Sequence, residues 1–187
     1  MSGDAETGVR EAPLDGGALR SLVRHVPDFP EPGVLFRDIT PLLANGDAFR
    51  RAIDALADRF ADVAVDTVVG VEARGFILAA PIAYRLGASF VPVRKAGKLP
   101  WAVVREEYVL EYRMEKLELH RDAIRPGERI LVIDDVLATG GTAAATCKLI
   151  ETLGGTIGGV GVLIELGELG GRSALGERRV ESLLGDA

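Results

Sequence analysis

Apolar residues recur along this chain in two alternating periods, one suited to helices and one to strands. Ala18, Leu19, Leu22, Val23 and Val26 fall at helical spacing before Pro27, which predicts a helix over 18–26. Pro30, Pro32 and Gly33 make 28–36 an irregular loop. Phe49, Ile53, Leu56, Ala57 and Phe60 repeat every three or four residues, a second helix for which Asp47 is the candidate cap. An α/β rhythm follows: strand 67–71, helix 76–86 stopped by Gly87, strand 90–93, strand 130–133, helix 142–153 ended by Gly154 and Gly155, and strand 161–165. The run Ile130-Leu131-Val132-Ile133 is wholly apolar and mostly β-branched, as a strand covered on both faces must be. Strands separated by helices of this length imply βαβ units and a parallel sheet. Residues 101–119 break the rhythm, being dense in charge and aromatics without a helical face, and read as an antiparallel excursion or flap.

Bulk properties narrow the class. The 187 residues suit one domain of ordinary size, and 48% hydrophobic with 27% charged content is that of a globular protein. A net charge of -6 argues against a nucleic-acid partner, since backbone binding leaves a basic footprint. Cys147 is the lone cysteine, which points to a reducing compartment. Residues 1–16 are polar and acidic, a loose extension rather than a secretory signal. No uncharged apolar run reaches the roughly twenty residues a membrane span needs. A cytoplasmic protein is expected, with neither nucleic acid nor membrane as partner.

The chemistry concentrates where the apolar strand ends. Asp134 and Asp135 follow it directly, then Val136, Leu137, Ala138, Thr139, Gly140, Gly141 and Thr142 lead into a helix. Glycines let the backbone approach a ligand closely, and the N–H groups opening a helix converge on an anion. Thr139 and Thr142 add hydroxyl donors. Two carboxylates at a strand's C-terminal edge can accept from vicinal hydroxyls or hold water on Mg²⁺. A phosphate beside a diol describes a phosphorylated ribose. The stretch is neither a Walker loop, lacking Gly-Lys-Ser/Thr, nor a dinucleotide fingerprint, whose glycines are spaced otherwise.

This stretch resembles the motif of type I phosphoribosyltransferases that binds 5-phosphoribosyl-1-pyrophosphate (PRPP). The resemblance implies that Asp134 and Asp135 contact the ribose hydroxyls and that Ala138, Thr139, Gly140, Gly141 and Thr142 cradle the 5′-phosphate. Residues 29–43 resemble the N-terminal signature of the adenine-specific branch. Phe36 offers a face for stacking a flat base, and by the resemblance the backbone around Leu35 and Arg37 bonds the adenine edge. Residues 70–76 resemble the family's pyrophosphate loop, with Glu72, Ala73 and Arg74 at the anion; in the family this loop often carries a non-proline cis peptide. Arg94, Lys95 and Lys98 supply further cations. Some of them are expected to reach a neighbouring subunit's site, which implies a homodimer.

Residues 108–112 resemble the family's mobile loop. Glu111 matches the acid that manages the purine proton, with Tyr112 beside it; Arg113 stands where the family commonly has a small residue. The resemblance spans about residues 19–184 and implies a doubly wound parallel α/β sheet with a small hood (17–45) and a flap (97–119), in one domain over 17–187. The reaction implied joins PRPP and adenine to give AMP and pyrophosphate, with Mg²⁺ as cofactor and Glu111 and Arg74 as catalytic residues. A transferase for another base, or a non-catalytic PRPP-binding regulator, are the alternatives.

Overall fold

The computed structural model describes residues 16–110 and 113–185. Glu111 and Tyr112, and with them the expected proton-handling acid, lie outside the described residues. The elements in chain order are α1 (Gly16–Arg20), β1 (Arg24–Val26), β2 (Phe36–Asp38), α2 (Thr40–Ala44), α3 (Gly46–Asp58), β3 (Thr67–Val71), α4 (Arg74–Leu86) and β4 (Ser89–Lys95). They continue with β5 (Val103–Leu110), β6 (Arg113–His120), β7 (Arg129–Leu137), α5 (Gly141–Thr152), β8 (Thr156–Glu165), a 3₁₀ turn (Gly167–Leu169), α6 (Gly171–Leu175) and β9 (Val180–Leu184).

Seven strands form the main sheet in the order β5-β6-β4-β3-β7-β8-β9. The five from β4 to β9 pair in parallel, while β6 pairs antiparallel with both β4 and β5. The chain moves outward from β3 to β4, then returns to lay β7 on the other side of β3. The order therefore reverses between β3 and β7, and ligands in such sheets bind outside the strand ends at that reversal.

Both sheet faces are covered, which is why the central strands are apolar throughout. Val68, Leu131, Ile133 and Leu163 face a cluster that takes in α1 to α4, with Leu42, Ile53, Leu56, Phe60, Leu78 and Ile82 buried in it. Val69, Val71, Ile130, Val132 and Val162 point the other way, against Ala143, Cys147, Leu149 and Ile150 of α5 and Leu175 of α6. Successive residues of one strand alternate between the two clusters, the period-two geometry of a strand clad on both sides. The expected doubly wound sheet is therefore present, with β5 and β6 as the antiparallel excursion.

Two local expectations need correction. The helix predicted over 18–26 stops at Arg20, and Arg24–Val26 instead pairs antiparallel with Phe36–Asp38. Pro27 drives Val26 toward extended backbone. The turn closed by Phe29 N–H on the Val34 carbonyl (3.2 Å), with Gly33 at φ 87°, then brings back a partner strand. Asp47 does not cap α3. Asn45 does, accepting the Ala48 N–H at 3.1 Å, while Asp47 sits in the first turn and pairs with Arg50 and Arg51. The other elements match within a few residues, and α4 ends at Gly87 in the left-handed conformation (φ 66°). The pattern missed α2, α6 and β9, all five residues long.

Candidate functional site

Two loops meet where the sheet order reverses. The first leaves β3 as Glu72-Ala73-Arg74-Gly75 and opens α4, with the Glu72–Ala73 peptide cis. The second leaves β7 through Asp134 and Asp135 and opens α5 at Gly141. They touch backbone to backbone. A Cβ on Gly75 would lie 2.9 Å from Asp134 Oδ1 and 3.0 Å from the Ile133 carbonyl oxygen, so only glycine permits this approach.

Arg74 joins the parts. Its Nε lies 2.7 Å from Asp135 Oδ2, and its guanidinium carbon sits 4.7 Å from the centre of the Phe36 ring. Phe36 is braced edge-on by Phe29 at 5.1 Å. One cation thus spans the acid pair of the second loop and the aromatic of β2, bringing together three motifs that lie far apart in sequence. Asp135 is buried, and its Oδ2 accepts no directed hydrogen bond, so the contact with Arg74 is an ion pair rather than an aligned donor–acceptor bond. Asp134 turns Oδ1 onto the Asp135 N–H at 2.9 Å. Burial, and next the neighbouring Asp135 carboxylate, push the Asp134 carboxyl well above the usual range.

The segment from Ala138 to Thr142 curls against α6. Gly140 adopts φ 83°, and a Cβ there would run into the Gly171 carbonyl and the Ala174 side chain. The first N–H groups of α5 have no partners within the helix, and Gly140 supplies no side chain to cap them. Unpartnered N–H groups at the head of a helix suit an anion. Thr139 is exposed, and Thr142 donates from Oγ1 to the Tyr108 hydroxyl at 3.3 Å, which ties β5 to the start of α5. Tyr108 thus borders the loop that opens α5, whereas the sequence reading placed it only in the flap.

The cation loop after β4 converges on Glu72. Its Oε2 accepts from Arg94 Nε at 3.2 Å and from the Lys95 N–H at 3.0 Å, while Oε1 pairs with Lys98 Nζ. Burial alone would raise the Glu72 carboxyl, but the hydrogen bonds from Lys98, Lys95 and Arg94 outweigh it and hold it below the ordinary value. The Lys95 ammonium points elsewhere, 3.9 Å from Glu115 on β6. Ala73 precedes the first turn of α4.

Leu35 is 44% exposed, and Arg37 is half-buried, donating to the Leu35 carbonyl at 3.2 Å. Asp38, which sequence reasoning missed, closes β2 by accepting from the Thr40 N–H and hydroxyl, both at 2.9 Å; these bonds lower its carboxyl pKa. A short acid between strand and helix is the signal that could have found it.

A parallel sheet whose point of reversal brings together two helix-opening loops, one of them carrying an acid pair, suits a phosphorylated sugar. The chain belongs to the phosphoribosyl transferase domain family, whose pattern matches residues 38–181. Its relatives give the particular branch. It is 57% identical over 166 residues to the adenine phosphoribosyltransferase of Roseiflexus castenholzii, spanning 89% of this chain and 96% of that one. The adenine phosphoribosyltransferase structure from Rhodothermus marinus superposes with a TM-score of 0.88 at 49% identity, over 91% of this chain and 98% of the other. That from Saccharomyces cerevisiae, complexed with adenine and an imino-altritol bisphosphate, superposes at 0.85 with 39% identity, over 90% and 98%.

Proposed function

We propose that the chain transfers the 5-phosphoribosyl group of PRPP to adenine, giving AMP and pyrophosphate in purine salvage. The observation that carries this reading is Arg74 held between Phe36 and Asp135, which unites a base-stacking ring, a leaving-group cation and a ribose-binding acid. In it the ribose hydroxyls bond Asp134 and Asp135, and the 5′-phosphate lies on the turn from Ala138 to Thr142 at the head of α5. Pyrophosphate lies between the backbone of Glu72 and Ala73 and the cations Arg74, Arg94, Lys95 and Lys98. Adenine stacks on Phe36 with its edge on the backbone of Leu35 and Arg37.

The reaction is a displacement at the ribose anomeric carbon. Adenine N9 bonds to C1 as the C1–oxygen bond to pyrophosphate breaks, and the electron pair leaves with that oxygen. Arg74 and the cation loop stabilise the charge that develops there. Glu111 takes up the purine proton, and the β5–β6 hairpin closes as a flap that excludes water. Among the described residues no three His, Cys, Asp or Glu side chains gather to hold a metal. Asp134 and Asp135 would border Mg²⁺ carried in with PRPP, and the ion would supply charge neutralisation.

Residues 17–187 work in this reading as one transferase domain, with 17–45 as its hood. No helix among the described residues is long and apolar enough to cross a membrane. The lone cysteine, Cys147, fits a reducing compartment, and on that ground we place the protein in the cytoplasm. Ile77 and Tyr84, seven residues apart on one face of α4, are 43% and 90% exposed, and Phe90 of β4, 38% exposed, packs edge-on against Phe76 of the same helix. This surface supports a homodimer, which sedimentation at micromolar concentration tests.

The decisive assay supplies PRPP and Mg²⁺ with adenine, hypoxanthine, guanine or orotate separately. AMP from adenine alone is expected. Product from another base would overturn the Phe36 assignment while leaving the phosphate site standing.

A further inference from the structure

Glu118 lies toward the end of β6 between Leu117 and Leu119, and all three are at most 2% exposed. Both faces of the strand are covered here, so a carboxylate is the exception among apolar neighbours. Its register partners are Arg94 on β4 and Arg105 on β5, which puts it where the hairpin joins the parallel sheet. Each oxygen has its own partner. Oε1 accepts from Arg105 Nε at 2.6 Å, and Oε2 accepts from the Gly97 N–H at 2.9 Å. Gly97, at φ 82°, is the turning point of the loop that carries Lys95 and Lys98. One buried carboxylate therefore ties a flap strand to the cation loop. Desolvating a carboxylate is costly, and an apolar residue would cover this register at no such cost, so packing does not account for Glu118.

We propose that Glu118 is a positioning residue for the pyrophosphate side of the site. It fixes the Gly97 turn so that Arg94 and Lys98 converge beside Glu72, and it fastens the base of the β5–β6 hairpin to the same point. Hairpin position and cation geometry are then one variable rather than two. The inference rests on the reading of this loop as the pyrophosphate site. Arg105 is the complementary element, since its side chain is 64% exposed and has no structural need to reach inward.

The test compares the full chain with Glu118→Gln, Arg105→Met and the double variant. Gln keeps the shape, but its amide nitrogen cannot accept a hydrogen bond, so one of the two links must fail. Calorimetry measures binding of PRPP with Mg²⁺ and of pyrophosphate, steady-state kinetics separate KM from kcat, and thermal melting reports folding. Glu118→Gln is expected to weaken PRPP and pyrophosphate about tenfold, the scale of one charge-assisted hydrogen bond. Its KM for adenine should stay within about twofold and its kcat should fall less than the PRPP KM rises, since a ground-state positioning link is lost. Arg105→Met should shift PRPP affinity the same way, and the double variant should be no weaker than Glu118→Gln alone.

A folded Glu118→Gln with unchanged PRPP affinity overturns the proposal, as does an equal loss for adenine and PRPP alongside a lowered melting temperature. Should Glu118→Gln fail to fold, unchanged affinity in Arg105→Met overturns it equally. A wild-type chain that binds PRPP yet forms no AMP defeats the adenine reading, while the binding comparison still decides Glu118. A wild-type chain that binds neither PRPP nor pyrophosphate defeats both.

Discussion

Arg74 Nε stands 2.7 Å from Asp135 Oδ2 without donating an aligned hydrogen bond to it. Neither group is optimally partnered, and substrate can improve both: hydroxyls can donate to the acid while anionic oxygens take the guanidinium fork. Arg74→Ala should lower kcat/KM for PRPP by roughly 10²–10³, the usual effect of losing one donor at a developing negative charge. Arg74→Lys should recover only part of this, because an ammonium lacks the planar fork. Steady-state kinetics with PRPP varied decide the matter, and wild-type kcat/KM in both variants would remove Arg74 from the leaving-group chemistry.

Phe36 has two tasks in the proposed site, and they separate by substrate. Its ring stacks the base, and its face holds the Arg74 guanidinium at 4.7 Å, a contact worth about 0.5–1 kcal/mol. Phe36→Ala should raise KM for adenine about tenfold through lost stacking, while KM for PRPP rises only a few-fold through the loosened arginine. A change confined to PRPP would sink the base-stacking role.

What was legible in the sequence, and what was not, divides along physical lines. The run from Ile130 to Asp135 could be read because a strand clad on both faces must be apolar and a ligand-binding strand end must be polar. Gly140 was legible from the glycines that open a helix, and the hairpin of β5 and β6 from a charged stretch without a helical face. The segment from Arg24 to Val26 could not be read, since its apolar spacing suits a helix and its partner strand is supplied by a proline turn ten residues later. Likewise Arg74 was assigned to an anion from its local motif, but its contacts with Phe36 and Asp135 arise only when β3 and β7 pair and β2 folds over their ends. Glu118 sits among many acids in the 101–119 stretch, and only burial from both faces, a tertiary property, sets it apart.

Acid should loosen the cation loop as Glu72 takes up its proton. The Glu72 carboxyl is pushed up by burial but pulled further down by Lys98, Lys95 and Arg94, so its folded pKa lies below its ordinary 4.5. A depressed carboxylate contributes stability that is fully present above about 4.5 and is lost as pH falls through the folded value. Asp134 has the opposite sign, because burial and Asp135 raise it and its ionisation opposes folding as pH rises above 3.8. Carboxyl-carbon NMR should therefore show Glu72 titrating below 4.5, together with loss of exchange protection at the Lys95 amide. An inflection above 4.5 would contradict the convergence of these cations on Glu72.

Gly140 lies in the proposed phosphate turn, and its replacement separates conformational strain from steric conflict. At φ 83° an alanine costs about 1–2 kcal/mol for the left-handed backbone alone. At Gly140 the added methyl also meets the Gly171 carbonyl and Ala174, so the turn must move away from α6. Gly127 is the matched control, since it has φ 86° and nothing within 4 Å of an added Cβ. Gly127→Ala should lower thermal stability by the strain alone and leave AMP affinity unchanged. Gly140→Ala should destabilise more and weaken AMP by at least about tenfold, because the α5 N–H groups no longer point at the 5′-phosphate. Melting curves with and without AMP measure both quantities, and equal AMP-induced stabilisation in the two variants would show that this turn is not where the phosphate binds.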